Sequence, residues 1–512
     1  MLNADAFDHP VSKIELIETH ISWVILTGDF VYKIKKPVNF GFLDFSTLEK
    51  RHEYCEQEVI LNSRLASELY LGVVSISGTA EKPVINGEGN NGEENIFEYA
   101  VQMRQFPQSA QLDNKLAAGE LVIEQMDAIA QMVADFHAST AVADNLVNFG
   151  KKELIKKPVI ENFQLISKYL NTNEYDNQLK ILKKWSYSEF AKLESVFKQR
   201  KTDGFIRECH GDMHLRNLVW LDGKPLAFDC IEFNPELRWI DVISEVAFLV
   251  MDLQDRQQHQ LAHRFLNSYL EKTGDYAGLS VLPFYLCYRA MVRAKVDALR
   301  LEQEGVDRKE KTQQLAEFKS YLALASRYTK STPVKIIIMR GLSASGKSTI
   351  SQAVLDTLGA IRIRSDVERK RIFNTSYDDN RAKNEIDAGI YSKDASQKTY
   401  EKLADLASTI IHAGFNVIVD AAFLKYEQRE VFQTLASNLN VAYFILEVTA
   451  STEELRRRIV ARKNDVSDAD LGVLEHQLSN WQPLQDNEIC SAISVNTEEQ
   501  VDIDSLVKII KK

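Results

Sequence analysis

The apolar positions of this chain keep changing rhythm. Near the start, "SWVILTG" (22–28) and "FVYKIKK" (30–36) alternate or run apolar on either side of a "TGDF" turn, which predicts two strands. "STLE" reads as a capping box that starts a helix at Ser46, with Leu61, Leu65 and Leu69 marking one face near its end. "VVSIS" and "FEYAVQMRQF" read as further strands, separated by the polar glycine-rich tip "NGEGNNGEEN" (86–95). From about Ala110 to Arg207 the spacing is helical. It is interrupted by two short strands, "NLVWL" and "PLAFD", around "DGK", and resumes after Asp241. "TKSTP" (329–333) is a polar breaker and the predicted linker. Beyond it the order strand, glycine loop, helix, strand predicts a parallel α/β unit.

The length of 512 residues points to more than one hydrophobic core. With 45% hydrophobic and 26% charged residues the chain reads as ordinary globular protein. The excess of 73 acidic over 62 basic side chains, a formal charge of -11, disfavours broad attraction to nucleic acid or anionic membrane. Cys55, Cys209, Cys230, Cys287 and Cys490 are scattered without CxxC pairing, which suits a reducing compartment. No basic segment followed by an apolar run opens the sequence, and no apolar run approaches the ~20 residues of a spanning helix. The expected address is the cytoplasm, away from any membrane.

The most specific motif is in "KIIIMRGLSASGKSTI". A strand, Ile336 to Met339, runs into Gly341, Leu342, Ser343, Ala344, Ser345, Gly346, Lys347 and Ser348, and "TISQAVLDTLG" continues as a helix from Thr349. This is GxxxxGK[ST] in the context it requires. Glycines let backbone N–H groups wrap an anion and the helix N-terminus adds partial positive charge. Lys347 is expected on the β- and γ-phosphates of ATP, and Ser348 on Mg²⁺.

On the acceptor side, Asp366 stands just past the strand in "AIRIRSDVERKR", where open α/β sheets bind ligands. It is the candidate proton acceptor, with Arg369 as a substrate grip. Asp420 ends the strand in "FNVIVDAAF" and is a candidate for organising the metal. "LRRRIVARKND" places Arg457, Arg458 and Arg462 at helical spacing. This is either a solvated basic face or a lid that neutralises transferring phosphate. On these segments residues 334–512 resemble the small P-loop kinases that include gluconate kinase, the kinase half of polynucleotide kinases and zeta toxins. The resemblance implies ATP-dependent phosphoryl transfer and leaves the acceptor open.

The second centre of chemistry is "ECHGDMHLRNLVWLDGKPLAFDCIEF" (208–233). His210 and His214 are four apart, a zinc spacing on a helix, but Gly211 and the neighbouring strands argue against a helix here. A zinc clip and a plain polar loop are the two lesser readings. Asp212 followed five residues later by Asn217 reproduces the interval of the HRDxxxxN catalytic loop, and Asp229 falls where a kinase keeps its Mg²⁺-chelating aspartate. Upstream, "VYKIKK" carries Lys33 and Lys35 on one strand face and the following helix offers Glu58. A lysine paired with a helix glutamate is how kinases hold the α- and β-phosphates. The sequence does not choose between the two lysines.

Residues 1 to about 325 thus resemble the aminoglycoside phosphotransferase family of kinase-like enzymes, which share the HGDxHxxN loop and a following aspartate. The resemblance implies phosphorylation of a small-molecule hydroxyl with Asp212 as base, His210 bracing the loop and His214 near the transferred phosphate. Two departures stand out: no GxGxxG loop precedes the lysine strand, and "DCIEF" replaces DFG. The joining of two such halves also resembles a group of bacterial two-domain proteins.

The expected architecture is a bilobal α+β protein-kinase-like domain over 1–328, with a small lobe to about 106 and a helical large lobe from about 107. A linker over 329–333 leads to an α/β P-loop NTPase domain with a parallel sheet over 334–512. The expected function is a bifunctional kinase using ATP and Mg²⁺ on small-molecule hydroxyl acceptors. Two other functions stay open. One half is a regulatory nucleotide-binding module, or the P-loop half acts on a nucleic-acid end or a nucleotide sugar. The oligomeric state is left undetermined.

Overall fold

A computed structural model describes the chain apart from residues 12, 20, 40, 42, 86–95, 170–173, 302–306, 374–391 and 462–470. The expected hairpin tip and Arg462 lie outside the described residues. The chain divides into two compact units, residues 1–252 with 284–325, and residues 253–283 with 326–512.

The first unit opens with strands β1 (Glu15–Glu18), β2 (Ser22–Leu26), β3 (Phe30–Lys35), β4 (Tyr70–Gly78), β5 (Pro83–Ile85) and β6 (Ile96–Arg104). They form one antiparallel sheet in the order β1-β2-β3-β6-β4-β5. Helix α1 (Leu48–Ala66) packs on β4 and β6. Its cap is Thr47, whose hydroxyl accepts from the Lys50 N–H, one residue later than the sequence predicts. Ser46 instead folds back on Asp44, its hydroxyl and N–H both donating to Oδ1. Because side chains alternate along a strand, Lys33 and Lys35 share one face of β3, the face that meets α1.

A helical lobe follows, with α2 (Leu112–Ala117), α3 (Ile123–Ser139), α4 (Lys152–Tyr169), α5 (Asp176–Thr202), α6 (Pro235–Arg238), most of α7 (Val242–Asp255) and α9 (Leu282–Leu301), and the larger part of α10 (Arg308–Tyr328). Strand β7 (Ile206–Glu208) pairs with β10 (Trp239–Asp241), and β8 (Leu218–Leu221) with β9 (Lys224–Ala227) as the expected hairpin. Val219 and Leu226 of that hairpin join Val31, Cys55, Ala66 and Val101 in one core, which fixes the hairpin against the sheet. Helix α7 is buried on every side from 242 to 253. Its polar Ser244, Glu245 and Asp252 are buried with it, so each must find partners inside the protein. This unit has the bilobal α+β architecture of a protein kinase.

The second unit is built on a parallel sheet in the order β12-β13-β11-β14-β15. The strands are β11 (Lys335–Arg340), β12 (Ile361–Arg364), β13 (Val417–Asp420), β14 (Ala442–Thr449) and β15 (Ala492–Asn496). The helices are α11 (Lys347–Leu358), α12 (Ser365–Ile372), α13 (Lys393–His412), α14 (Tyr426–Leu439), α15 (Thr452–Ala461), α16 (Leu471–Ser479), α17 (Asp486–Ile489) and α18 (Ile503–Lys511). Ile336, Ile337, Ile338 and Met339 are wholly buried at the centre of the sheet, as a strand covered on both faces must be. The order places Met339, Asp420 and Arg364 in register at the carboxyl ends of three adjacent strands.

Compactness divides the chain differently from the expected cut at 329–333. Helix α8 (His259–Thr273), in sequence between α7 and α9, belongs to the second unit. The reason is visible at β12, an edge strand. The Asn267 side chain donates to the Ala360 carbonyl (3.0 Å) and accepts from the Arg362 N–H (2.8 Å), so it occupies the place of a neighbouring peptide group. His263 Nδ1 donates to the Asp356 carbonyl at 2.8 Å, one turn earlier on α8. The apolar face of α8, with Leu266 and Leu270, is buried. Replacing Asn267 by Ala strands a buried carbonyl and a backbone N–H. It is expected to destabilise the second unit by ~2 kcal/mol, read from the urea transition of the full chain.

Candidate active sites

In the first unit Lys33, Lys35, Asp229 and Glu232 form one charged network with Glu58, which is wholly buried on α1. Lys33 Nζ donates to Glu58 Oε1 at 2.8 Å and to Asp229 Oδ1 at 2.6 Å. Lys35 Nζ donates to Glu58 Oε2 at 2.7 Å and to Glu232 Oε1. Burial works against ionising Glu58, but the two ammonium groups pull its carboxyl down to about 2. Glu232, which shares only Lys35 closely, is pushed up by burial. The geometry separates the lysines that the sequence left equivalent. Lys33 keeps 14% of its side chain exposed and reaches Asp229, whereas Lys35 has no exposure and lies against the Phe45 ring.

Asp229 adopts a left-handed backbone (φ +64°), a conformation that costs a non-glycine residue of order 1 kcal/mol and needs support from its surroundings. The support is local. Its N–H donates to the Tyr70 hydroxyl (3.1 Å), and the next N–H, from Cys230, donates to Asn62 Oδ1 (2.8 Å).

Asp212 stands on the loop after β7. The Asn217 amide nitrogen donates to Asp212 Oδ2 and to its backbone carbonyl, both at 3.0 Å, and His214 Nε2 lies 3.3 Å from Oδ2. Burial opposes charge on Asp212, yet His214, Arg293 and His210 together hold its carboxyl below the usual range. His210 has both ring nitrogens committed: Nε2–H donates to the Phe228 carbonyl (2.9 Å) and Nδ1 accepts the Asp212 N–H (3.3 Å). The zinc reading of this stretch therefore fails, and His210 braces the loop.

The deeper braces come from α7 and α9, and the sequence gives no local sign of them. Glu245 accepts the N–H groups of His210 (3.2 Å) and Gly211 (2.6 Å) and sits 3.0 Å from His137 Nε2. Asp252 Oδ2 accepts the Leu215 N–H at 2.9 Å, and Arg289 donates to the Gly211 carbonyl at 3.0 Å. Gly211 is required there. Its φ is +89°, and a Cβ would stand 2.8 Å from the Leu237 carbonyl oxygen. His137, Cys209 and Glu245 bring three ligand-type atoms within 4.8 Å. Both Glu245 oxygens are already engaged, so the group serves as a buttress.

Asn217, with its nitrogen committed to Asp212, offers its carbonyl oxygen, and the half-exposed Asp229 offers a carboxylate. All-oxygen donors of this kind fit a hard divalent cation.

In the second unit the loop from Gly341 to Gly346 crosses from β11 to α11. Gly346 has φ +92° and a Cβ on Gly341 would meet the Val448 carbonyl oxygen at 2.4 Å, so both glycines are sterically required. Ser343 N–H is held by Gln477 Oε1 (2.7 Å), and Lys347 Nζ folds back to the Leu342 carbonyl (2.7 Å). Ser348 and Thr349 are exposed on the first turn of α11. The buried Ser345 hydroxyl has no hydrogen-bond partner among the described residues, as suits a loop shaped around an anion. Asp420 Oδ2 accepts from the Ser351 hydroxyl at 3.0 Å.

Asp366 lies in the first turn of α12, and burial raises its carboxyl above the ordinary value against the pull of Arg364 and Arg369. Arg458, read from the sequence as part of either a solvated basic face or a lid, is held by the second unit itself. It donates to Glu454 (2.6 Å), the Thr497 hydroxyl (2.8 Å) and carbonyl (2.9 Å), and the Ala344 carbonyl (3.3 Å), and so ties the loop to the end of β15. Arg457 is exposed and pairs with Glu454.

Against known proteins, the chain matches the "Uncharacterized protein Rv2004c" of Mycobacterium tuberculosis (strain ATCC 25618 / H37Rv). Identity is 30% over 464 residues, covering 90% of this chain and 89% of that one. The chain belongs to the same family. A match of that span includes parts of both units, so the joined architecture is a family property. An AAA domain model matches residues 336–484, the body of the second unit.

Among solved structures, an amicoumacin kinase, hAmiN, in complex with AMP-PNP, Ca²⁺ and Ami covers 62% of this chain and 91% of its own, at 13% identity and a TM-score of 0.39. An unliganded sugar kinase from Janibacter sp. HTCC2649 covers 35% and 92%, at 20% identity and a TM-score of 0.27. Among the described residues no helix is long and apolar enough to cross a membrane.

The brace on the first loop has a measurable signature. Burial opposes the charge on Glu245, but His137, His210 and the Gly211 N–H bring its carboxyl from 4.5 to about 2. A depressed carboxylate stabilises the fold above its unfolded value, and this contribution is lost as pH falls from 4.5 towards about 2. Glu245→Gln is expected to lower the stability of the first unit by about 3 kcal/mol at neutral pH. It is also expected to flatten this acid segment of a plot of denaturation midpoint against pH.

Proposed function

We propose that the protein is a bifunctional, ATP- and Mg²⁺-dependent phosphotransferase in which each unit transfers a γ-phosphoryl group to a hydroxyl of a small molecule. The observation that carries this reading is the convergence of Lys33, Glu58, Asp212, Asn217 and Asp229. They come from β3, α1 and two separate loops, yet direct hydrogen bonds draw them into two groups, Lys33 with Glu58 and Asp229, and Asp212 with Asn217, and His210 links the two loops through the Phe228 carbonyl and the Asp212 N–H. The P-loop supports an independent second centre.

In the first centre Lys33 holds the α- and β-phosphates and Glu58 holds Lys33. Asn217 and Asp229 would hold Mg²⁺, which would supply the neutralisation of charge on the phosphates. Asp212 orients the acceptor hydroxyl. As the bond from phosphorus to the bridging oxygen of ADP breaks and the bond to the acceptor oxygen forms, the acceptor proton passes to Asp212. A carboxylate held this low is a weak base. Its work is therefore positioning, with the proton arriving late, as suits a loose transition state that needs little early deprotonation.

In the second centre Lys347 and the loop N–H groups bind the phosphates, Ser348 and Asp420 hold the metal, and Asp366 takes the acceptor proton. Its raised carboxyl makes it the stronger base of the two.

Incubating wild type, Asp212→Ala and Lys347→Ala with Mg-ATP and a metabolite pool is expected to give two phosphorylated products. Each is lost, by a factor on the order of 10² to 10⁴, in one variant only. An Asp212→Ala protein that keeps both products would end the kinase reading of the first unit. The pH profiles should also differ. The reaction that survives in Asp212→Ala depends on Asp366 and should lose rate, as pH is lowered, earlier than the reaction that survives in Lys347→Ala.

A further inference from the structure

The second centre, as usually delimited by its P-loop, ends at β12 and α12. In this chain a helix encoded before the apparent linker, α8, reaches the same place. Glu271, near the end of α8, lies 3.2 Å from Arg364 Nη1 and 3.7 Å from Arg362 Nη2, one carboxylate oxygen to each arginine. Its backbone carbonyl accepts from Arg371 Nη2 at 2.6 Å. The three side chains of the cluster are mostly buried, with exposures of 23% for Glu271, 10% for Arg362 and 15% for Arg364. Their electrostatics are therefore poorly screened.

Both arginines lead to groups of the proposed chemistry. Arg362 donates to the Ser351 hydroxyl (3.1 Å) and the Ser348 carbonyl (3.3 Å), and Ser351 donates to Asp420 (3.0 Å). Arg364 precedes the turn that presents Asp366. The two guanidinium groups are on one face of the strand, two residues apart, and repel each other. Glu271 is the carboxylate placed between them.

We propose that Glu271 is a positioning residue of the P-loop centre. By holding Arg362 and Arg364 it keeps their charge from turning onto Asp420 and Asp366, so a helix encoded within the first half completes the second active site. The inference rests on the kinase reading of the P-loop unit. The attachment is built in: Asn267 pairs with the edge of β12, and the Tyr276 hydroxyl just beyond α8 donates to Glu368 on α12 (3.4 Å).

The test uses the full chain with Asp212→Ala in the background to silence the first centre, and follows ADP release from Mg-ATP. Glu271→Gln is expected to lower kcat on the order of 10-fold with KM for ATP changed less than about 2-fold, because the phosphate-binding loop is untouched. The acid limb of the pH profile should move to lower pH, since an arginine freed onto Asp366 favours its charged form. Glu271→Asp, which keeps the charge, should recover most of kcat.

The inference is overturned if Glu271→Gln matches its parent in kcat and pH profile. It is equally overturned if Gln and Asp variants lose activity and thermal stability alike with the acid limb in place, the mark of a purely structural contact. If Lys347→Ala in the same background leaves ADP release unchanged, the kinase reading of this unit falls and the inference with it. A Lys347-dependent rate that ignores Glu271 removes the inference alone.

Discussion

Glu58 is the charge on which the first centre depends. It has no contact with water, and moving such a carboxylate out of water costs several kcal/mol that only close cations offset. Two lysines from one strand face supply the compensation, and the same lysines bind Asp229 and Glu232, three residues apart on the segment after β9. Strand, helix and loop are thus held by one network in which no charge can move alone. Its members have interdependent protonation states, so Glu58 and Glu232 behave as a pair around Lys35.

The second centre solves the same problem with little side-chain charge. Its anion cradle is backbone, shaped by Gly341 and Gly346 and by the N-terminus of α11, and held from outside by Gln477 and Arg458. A cradle of peptide dipoles is already organised before a ligand arrives, whereas the first centre keeps its lysine occupied by carboxylates until a phosphate competes for it. Two differently built centres, one of paired side-chain charges and one of backbone dipoles, are therefore joined in one chain.

Strands β2, β3, β4, β6, β8, β9, β11, β12 and β13, the P-loop and the HGDMHLRN loop were legible because each lies in a short motif or a clear apolar period, and Lys33, Glu58, Asp212, Asn217, Asp229 and Asp420 were singled out as candidates on the same grounds, whereas β1, β5, β14 and β15 were not read. What escaped is long-range. Glu245 grips a loop 35 residues away, and Glu232 looked like an ordinary part of "DCIEF" until Lys35, 197 positions back, was placed against it. Choosing between Lys33 and Lys35 needed burial, which a strand period cannot report when both residues share a face. The partners of Arg458 were hidden, because helical spacing shows a basic face without showing what it binds. The place of helix α8 was the least legible: its amphipathic period fits either unit equally well, and contacts such as those of His263, Asn267 and Glu271 reveal which one it covers.

The carboxamide of Asn267 on the rim of β12 also bears on how the molecule must be made. An uncovered parallel edge strand offers its free peptide groups to any other extended chain, and natural sheets guard against such pairing. Here the guard is encoded some seventy residues before the P-loop, in a part of the sequence that reads as belonging to another domain. On a ribosome, the cover for the edge emerges before the sheet it protects. A fragment cut at the apparent linker would carry every motif of its kinase and still expose a bare rim, with self-association as the expected cost.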